Sequence, residues 1–215
     1  LSRWRTIHEL AVTAMFISEH GKPVAERYAA HLAADSIKTA RQYQKFASVL
    51  GYRPIGPKEQ KRLDKEAQEL AQKFGKTFLN DYGWAADALK ISQPTFASIE
   101  AAVNLDRFRP YFKLASGTVH AGAKGTYHRL GVLDDRDLIL VGSSNVGLEE
   151  AGRLVTISLN HITMVLLMLH SNTDSIVWGR ILLELSTKVE NNFLKIARKI
   201  EREERQLRKG ALPAE

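Results

Sequence analysis

Apolar residues recur every three to four positions along most of the chain, a spacing that predicts helices. The helix at about 2–20 is apolar almost all round, which predicts that it is buried. Two long helices at about 146–170 and 175–208 predict a C-terminal hairpin. The pattern therefore indicates an all-α fold, a helical bundle with a long C-terminal helical hairpin. One short β-hairpin near 130–142 is the most strand structure that the pattern allows.

Polar and small residues place the breaks between the helices. A turn at Ala34-Asp35 is predicted to separate a helix at 23–32 from another at 36–50 that Asp35 caps. The last helix carries apolar residues at heptad-like spacing until Glu203. Its end, Lys195–Lys209, is rich in both charge signs. We expect this end either to project from the domain or to form a short coiled coil in a homodimer.

Polar side chains interrupt the buried first helix in its second turn. Arg5, His8 and Glu9 stand there at i,i+3 and i,i+4 spacings, so the three side chains can form one network. The network is either a satisfied polar cluster in the core or the support of a functional site. For His161, which lies in the apolar context of a C-terminal helix, a core histidine with a backbone partner is favoured.

The stretch 106–129 is predicted to be a helix that runs into a glycine-rich loop. One stripe of this helix is apolar. The stripe beside it holds only cations, a hydroxyl and an imidazole, whereas a solvated face would normally mix charge signs. We expect the polar cluster of the first helix to approach this second stripe, because both need partners. The residues predicted to bind an anionic ligand here are Arg109, Tyr111, Lys113, Ser116, His120 and Lys124, with Glu9 from the first helix.

Composition narrows the class of protein. The 215 residues predict one domain over 1–209 with a tail at 210–215, and the net charge of +7 permits RNA or another polyanion as a partner. The absence of cysteine excludes disulfides and thiol catalysis. The longest apolar run, Ile162–Leu169, is shorter than the ~20 residues of a membrane span, so we expect no membrane partner and a cytoplasmic location. The chain begins with Leu1, which suggests a missing N-terminal element.

Several enzyme classes lack their motifs. There is no His-Glu-x-x-His, nucleophile elbow or Walker sequence, so no metal and no cofactor are expected. Metal-independent RNA cleavage fits better, because histidine can move the protons and arginine can stabilise the charged phosphorane. Arg109 and His120 are ~16 Å apart along a straight helix, so another cation, Arg5, Arg129 or Lys124, has to approach His120. The predicted catalytic residues are His120 or His8 with Arg5 or Arg109.

Two resemblances accompany these patterns. Arg3-Trp-Arg-Thr-Ile-His8 is similar to the motif of HEPN ribonucleases, an arginine followed after four to six residues by a histidine. Other stretches resemble a bacterial family known only as a domain of unknown function, found in helical proteins that include defence-linked ones. That resemblance implies an α-helical fold and a polar cluster of motif residues, without supplying a reaction. The matching stretches are Trp4–Ala11, Tyr82–Ala85, Arg109–Ser116, Val119–Ala121, Lys124-Gly125 and Ser144–Leu148.

Three functions follow from the sequence. The leading hypothesis is a helical effector with an Arg/His/Ser anion-binding site that acts as a metal-independent ribonuclease. The first alternative is a non-catalytic interaction module, in which the same polar cluster only stabilises the core. The second alternative is a nucleic-acid-binding protein without turnover, whose affinity would depend strongly on salt.

Overall fold

The computed structural model describes residues 1–120, 145 and 147–211. The regular elements in these residues are helices, which confirms the predicted all-α fold, and the predicted β-hairpin near 130–142 lies outside them. Short 3-10 turns at Lys76–Leu79, Gly83–Ala85 and Asp106–Phe108 connect some of the helices. The described α-helices are α1 (Ser2–His20), α2 (Lys22–Phe46), α3 (Pro57–Phe74), α4 (Ala86–Leu89), α5 (Phe96–Ala102), α6 (Arg109–Val119), α7 (Leu148–Leu169) and α8 (Thr173–Ala211).

Helix α2 replaces the two helices that were predicted on either side of Ala34-Asp35. It runs unbroken for 25 residues, and Ala34 is buried in it. The predicted turn is wrong because Asp35, the expected cap of a new helix, pairs within the same helix. Its carboxylate lies 3.3 Å from Nδ1 of His31 and 3.5 Å from Nζ of Lys38. The hydroxyls of Ser36 and Thr39 donate to the carbonyl oxygens of Leu32 and Asp35, over 2.8 and 2.9 Å. The side chains of Asp35, Ser36 and Thr39 therefore all have partners within one continuous helix.

The chain divides into two compact units. One consists of residues 1–15 and 107–215, and the other of residues 16–106. Compactness alone does not show whether a unit folds by itself, so the single domain over 1–209 with a tail at 210–215 stays a prediction.

In the first unit, α7 and α8 pack against each other, which confirms the predicted C-terminal hairpin. Gly152 on α7 lets the ring of Phe193 approach the helix, because a Cβ atom at Gly152 would overlap three ring atoms. Closer to the turn, a Cβ atom at Gly179 would lie 3.4 Å from Cε of Met164, which is ordinary van der Waals contact. The tight approach of the two helices thus depends on one glycine more than on the other.

In the second unit, the guanidinium of Arg27 on α2 holds together two segments that lie far from it in sequence. Its guanidinium donates to the carbonyl oxygens of Phe74, Gly83 and Trp84 at distances between 3.2 and 3.5 Å. The same group lies over the rings of Phe74 and Phe78, 5.3 and 5.4 Å from their centroids. A single cation therefore pairs carbonyl groups at the end of α3 and in the 3-10 turn at Gly83–Ala85.

Helix α7 is the one described helix that could cross a membrane, judged by its 22 residues and apolar composition alone. Only 11% of its most apolar window is buried in the structure. A core helix of a soluble protein passes the same test of length and composition, so the expected absence of a membrane partner stays a prediction.

Alanine substitutions at the two glycines of the hairpin are expected to change the stability of the protein in opposite directions. We expect Gly152→Ala to destabilise the protein, because overpacking costs about 1–3 kcal/mol and exceeds the gain in helix propensity. Gly179→Ala is the matched control, since its Cβ atom fits and alanine favours a helix by about 1 kcal/mol. Urea unfolding followed by circular dichroism measures both. Equal midpoints for the two variants would contradict the packing described for Phe193.

Candidate functional site

Arg5 of α1 lies at the centre of the polar cluster. Its Nε atom donates to Oε1 of Glu9 over 3.1 Å, one turn along the same helix. Its Nη1 atom lies 3.4 Å from Nε2 of His120, so the guanidinium donates to the imidazole when Nε2 carries no proton. The expected approach of the first helix to the second stripe is thereby confirmed for Arg5 and His120, which are 115 residues apart in sequence.

The ring of Phe112 on α6 supports two cations. The guanidinium carbon of Arg5 lies 4.8 Å from the ring centroid, and that of Arg109 lies 5.1 Å from it. Phe112 itself is 8% exposed, so the ring is fixed by the core on which α6 packs. A straight helix would keep Arg109 about 16 Å from His120. In the structure, the cation beside His120 is instead Arg5, which belongs to α1.

His8 lies deeper than the other predicted catalytic residues. Only 1% of it is exposed, and its ring stacks on Trp4 with the centroids 5.0 Å apart. The ring of Phe108 lies nearly perpendicular to it, with the centroids 5.7 Å apart. Trp4 is fixed in turn, because its indole N–H donates to the buried hydroxyl of Ser158 on α7 over 3.1 Å. In this conformation His8 is placed to position its neighbours and not to touch a ligand.

The other predicted binding residues occupy several environments. Ser116 is half-buried, and its hydroxyl donates to the carbonyl oxygen of Phe112 in its own helix over 2.8 Å. Lys113 is exposed and Tyr111 is half-buried. Lys124 lies outside the described residues. None of these roles is tested by the geometry, so the assignment of Ser116, Lys113, Tyr111 and Lys124 to ligand binding stays a prediction.

The charges of the cluster suit an anion. Arg5 pairs with the carboxylate of Glu9 and lies beside the exposed imidazole of His120, and an arginine fork matches the oxygens of phosphate or carboxylate groups. In residues 1–120 and 147–211, no three histidine or carboxylate side chains converge as metal ligands would. The expected absence of a metal and of a cofactor stays a prediction.

His161 of α7 is a neighbour of the site that the sequence reasoning placed in the core. Burial lowers the pKa of His161, and electrostatic repulsion from Arg107 and His8 lowers it further. Its Nδ1 atom is buried and has no hydrogen-bond partner among the described residues, in contrast to the expected backbone partner. The sequence around His161 could not indicate its lowered pKa, because Arg107, one of the causes, is 54 positions away.

Two further residues of the site were missed as site residues. Phe112 was assigned only to an apolar stripe, although it stands three positions after Arg109 and can lie under its guanidinium. Ser158 carries no local signal, since its partner Trp4 is 154 residues away. Both residues act by holding the arginines and histidines in place.

The chain was compared with known proteins. No curated protein and no solved structure matches it. Residues 1–137 match the model of a family of unknown function, DUF5677, which confirms the predicted resemblance to such a family. The match covers α1 to α6, including the residues of the Arg5–His120 cluster. The similarity to HEPN ribonucleases stays a prediction.

The lowered pKa of His161 predicts a loss of stability in acid. The unfolded chain binds a proton at this histidine more readily than the folded chain does, so stability falls as the pH drops below about 6.5. Between pH 7.5 and pH 5.5, we expect His161→Gln to lose less stability than the wild type. The measure is the shift of the urea unfolding midpoint. His170→Gln, at an exposed histidine of the same unit, is the control and should lose as much as the wild type. An equal loss in His161→Gln would show that this histidine is not the cause.

Proposed function

The chain belongs to DUF5677, a family of unknown function, and on that premise we propose that the protein binds RNA and cleaves it without a metal ion. The observation that carries the proposal is the distance of 3.4 Å between Nη1 of Arg5 and Nε2 of the exposed His120. A guanidinium and an imidazole at this separation can contact the same phosphate group.

The contacts of Arg5 support the first part of the proposal, binding of a phosphate. Glu9 engages the Nε side of the guanidinium and Phe112 lies against its face, so the group is held in one orientation. Its Nη1 atom is directed to His120, where the cluster meets solvent. A cation that is already oriented loses little side-chain entropy when an anion binds to it.

The position of His120 supports the second part, proton transfer. His120 follows the last residue of α6, and its backbone N–H donates to the carbonyl oxygen of Ser116 over 2.9 Å. The backbone is thereby anchored while the side chain is exposed to a ligand. Imidazole is the side chain best suited to exchange a proton near neutral pH.

The reaction would proceed by attack of the ribose 2′-hydroxyl on the adjacent phosphorus. His120 accepts the hydroxyl proton, the new oxygen–phosphorus bond forms, and the 5′-oxygen leaves with a proton from water. Arg5 stabilises the negative charge that develops on the phosphoryl oxygens. This step uses no metal ion and no cofactor, and it needs the 2′-hydroxyl that DNA lacks.

The experiment is cleavage of a labelled RNA pool in the presence of EDTA. We expect His120→Ala to lower the rate by about 10²–10⁴-fold, the usual contribution of a general base. Arg5→Lys should lower it by about 10²-fold, because lysine keeps the charge but not the fork. His170→Ala is the matched control, an exposed histidine of the same unit, and should cleave like the wild type.

Variants of the HEPN-like motif test the competing assignment of the catalytic residues. That motif requires Arg3 and His8, whereas the proposal rests on Arg5 and His120. Arg3 is exposed, so Arg3→Lys should leave both fold and cleavage unchanged. A loss of cleavage in Arg3→Lys with full activity in Arg5→Lys would overturn the assignment of the site.

The same set of variants separates the remaining functions. Binding of RNA by the wild type without any cleavage, with log affinity falling by about 0.7 per contacted phosphate for each unit of log salt, would favour a binding protein. Neither binding nor cleavage would favour the interaction module. The interaction module is the second candidate because of the ion pair between Arg5 and Glu9. Their side chains are only 26% and 36% exposed, so this pair can serve the packing of the core without any ligand.

A further inference from the structure

Helix α8 carries large apolar side chains on a side that α7 does not cover. Val177, Trp178, Ile181 and Leu185 are between 46% and 58% exposed. Their spacings of one, three and four residues place them on one side of the helix. A contiguous apolar surface of this kind, rimmed by polar residues, marks an interaction site in soluble proteins.

This surface is separate from the seam of the hairpin. The seam uses Gly179, beside Met164, and Phe193, beside Gly152. At about 100° per residue, Ile181 lies about 160° round the helix from Gly179, so one residue cannot serve both contacts. The exposed side chains are thus not an extension of the contact between α7 and α8.

Two opposite charges bound the apolar residues. Asp174 lies seven positions before Ile181 and Lys188 lies seven positions after it, and both are exposed. Seven residues are two helical turns, so both charges fall on the same side as Ile181. We call this set the α8 outer stripe: Asp174, Val177, Trp178, Ile181, Leu185 and Lys188.

We propose that the α8 outer stripe is the interface of a homodimer in which two α8 helices run antiparallel across a two-fold axis at Ile181. In that arrangement Ile181 meets its own copy, and Val177 of each protomer meets Leu185 of the partner copy. Asp174 meets Lys188 at both ends. The two ends of the surface are complementary to each other in charge, and this complementarity selects a second copy of the chain as the occupant.

Other arrangements leave the charges mismatched. Two parallel helices in register would place Asp174 against Asp174 and Lys188 against Lys188, which is unfavourable. Insertion into a bilayer would take Asp174, Arg180 and Lys188 into hydrocarbon, where charged groups are costly. The proposal is independent of RNA cleavage, because it uses no residue of the Arg5–His120 cluster.

The first test is the mass of the full chain in solution, measured by light scattering with size-exclusion chromatography. The wild type should have twice the mass of one chain, and Ile181→Glu should be monomeric with unchanged helicity, since it places two carboxylates on the axis. Ile176→Glu is the matched control: Ile176 is 73% exposed and lies on another side of α8, so this variant should remain dimeric. A monomeric wild type, or a dimeric Ile181→Glu, would overturn the proposal.

A charge exchange tests the antiparallel direction without disturbing the apolar residues. Asp174→Lys and Lys188→Asp should each weaken the dimer by about tenfold, because each replaces two attractive pairs with two repulsive ones. The double variant should regain the affinity of the wild type. In a parallel dimer each single substitution would only exchange one like-charge pair for another, so single variants with unchanged affinity would overturn the antiparallel arrangement.

The absence of cysteine from the chain makes crosslinking specific. Under mild oxidation, a mixture of Val177→Cys and Leu185→Cys proteins should form a disulfide-linked dimer, whereas Ile176→Cys should not. Co-sedimentation with anionic phospholipid vesicles completes the test. A wild type that stays monomeric in solution and binds the vesicles through Trp178 would assign the stripe to a lipid surface and overturn the dimer.

Discussion

The hydrogen bond from the Trp4 indole to the Ser158 hydroxyl is the interaction on which the candidate site depends. Both groups are almost fully buried, and a buried donor without a partner would cost about 1–3 kcal/mol. The folded state therefore strongly favours this hydrogen bond. It joins the first helix of the chain to the C-terminal hairpin, 154 residues away. Once Trp4 is fixed, the stacked ring of His8 is fixed with it, and Arg5 emerges from the same helix beside α6.

The site illustrates how a core can hold charged groups near a surface. Phe112 is anchored in the core, and its ring offers an electron-rich face to Arg5 and Arg109. Glu9 offsets part of the positive charge, while His120 stays exposed beyond the end of α6. Burial increases from His120 through Arg5 to His8. This gradient separates His120 and Arg5, which a ligand can reach, from His8, which can only position its neighbours.

Local patterns predicted much of the fold, because helices are defined by neighbours in sequence. The hairpin of α7 and α8 was predicted within about two residues at most of its ends, since its apolar spacing is regular over many turns. The break at Ala34-Asp35 was wrong, because the Asp35 side chain can either cap a new helix or pair with His31 and Lys38 in a continuous one. Which of the two happens depends on whether Ala34 finds a core to be buried in, and this is a tertiary property.

The sequence by itself determined the fold class, the pairing of Arg5 with Glu9 and the choice of segments that carry the polar groups. All three follow from contacts between residues at most a few turns apart. Only the tertiary structure decided that Arg5 reaches His120, that Trp4 bonds to Ser158, and that Phe112 supports Arg5 as well as Arg109. Contacts across more than a hundred residues depend on how helices pack, and the periodicity of one helix shows which face is buried without showing what covers it.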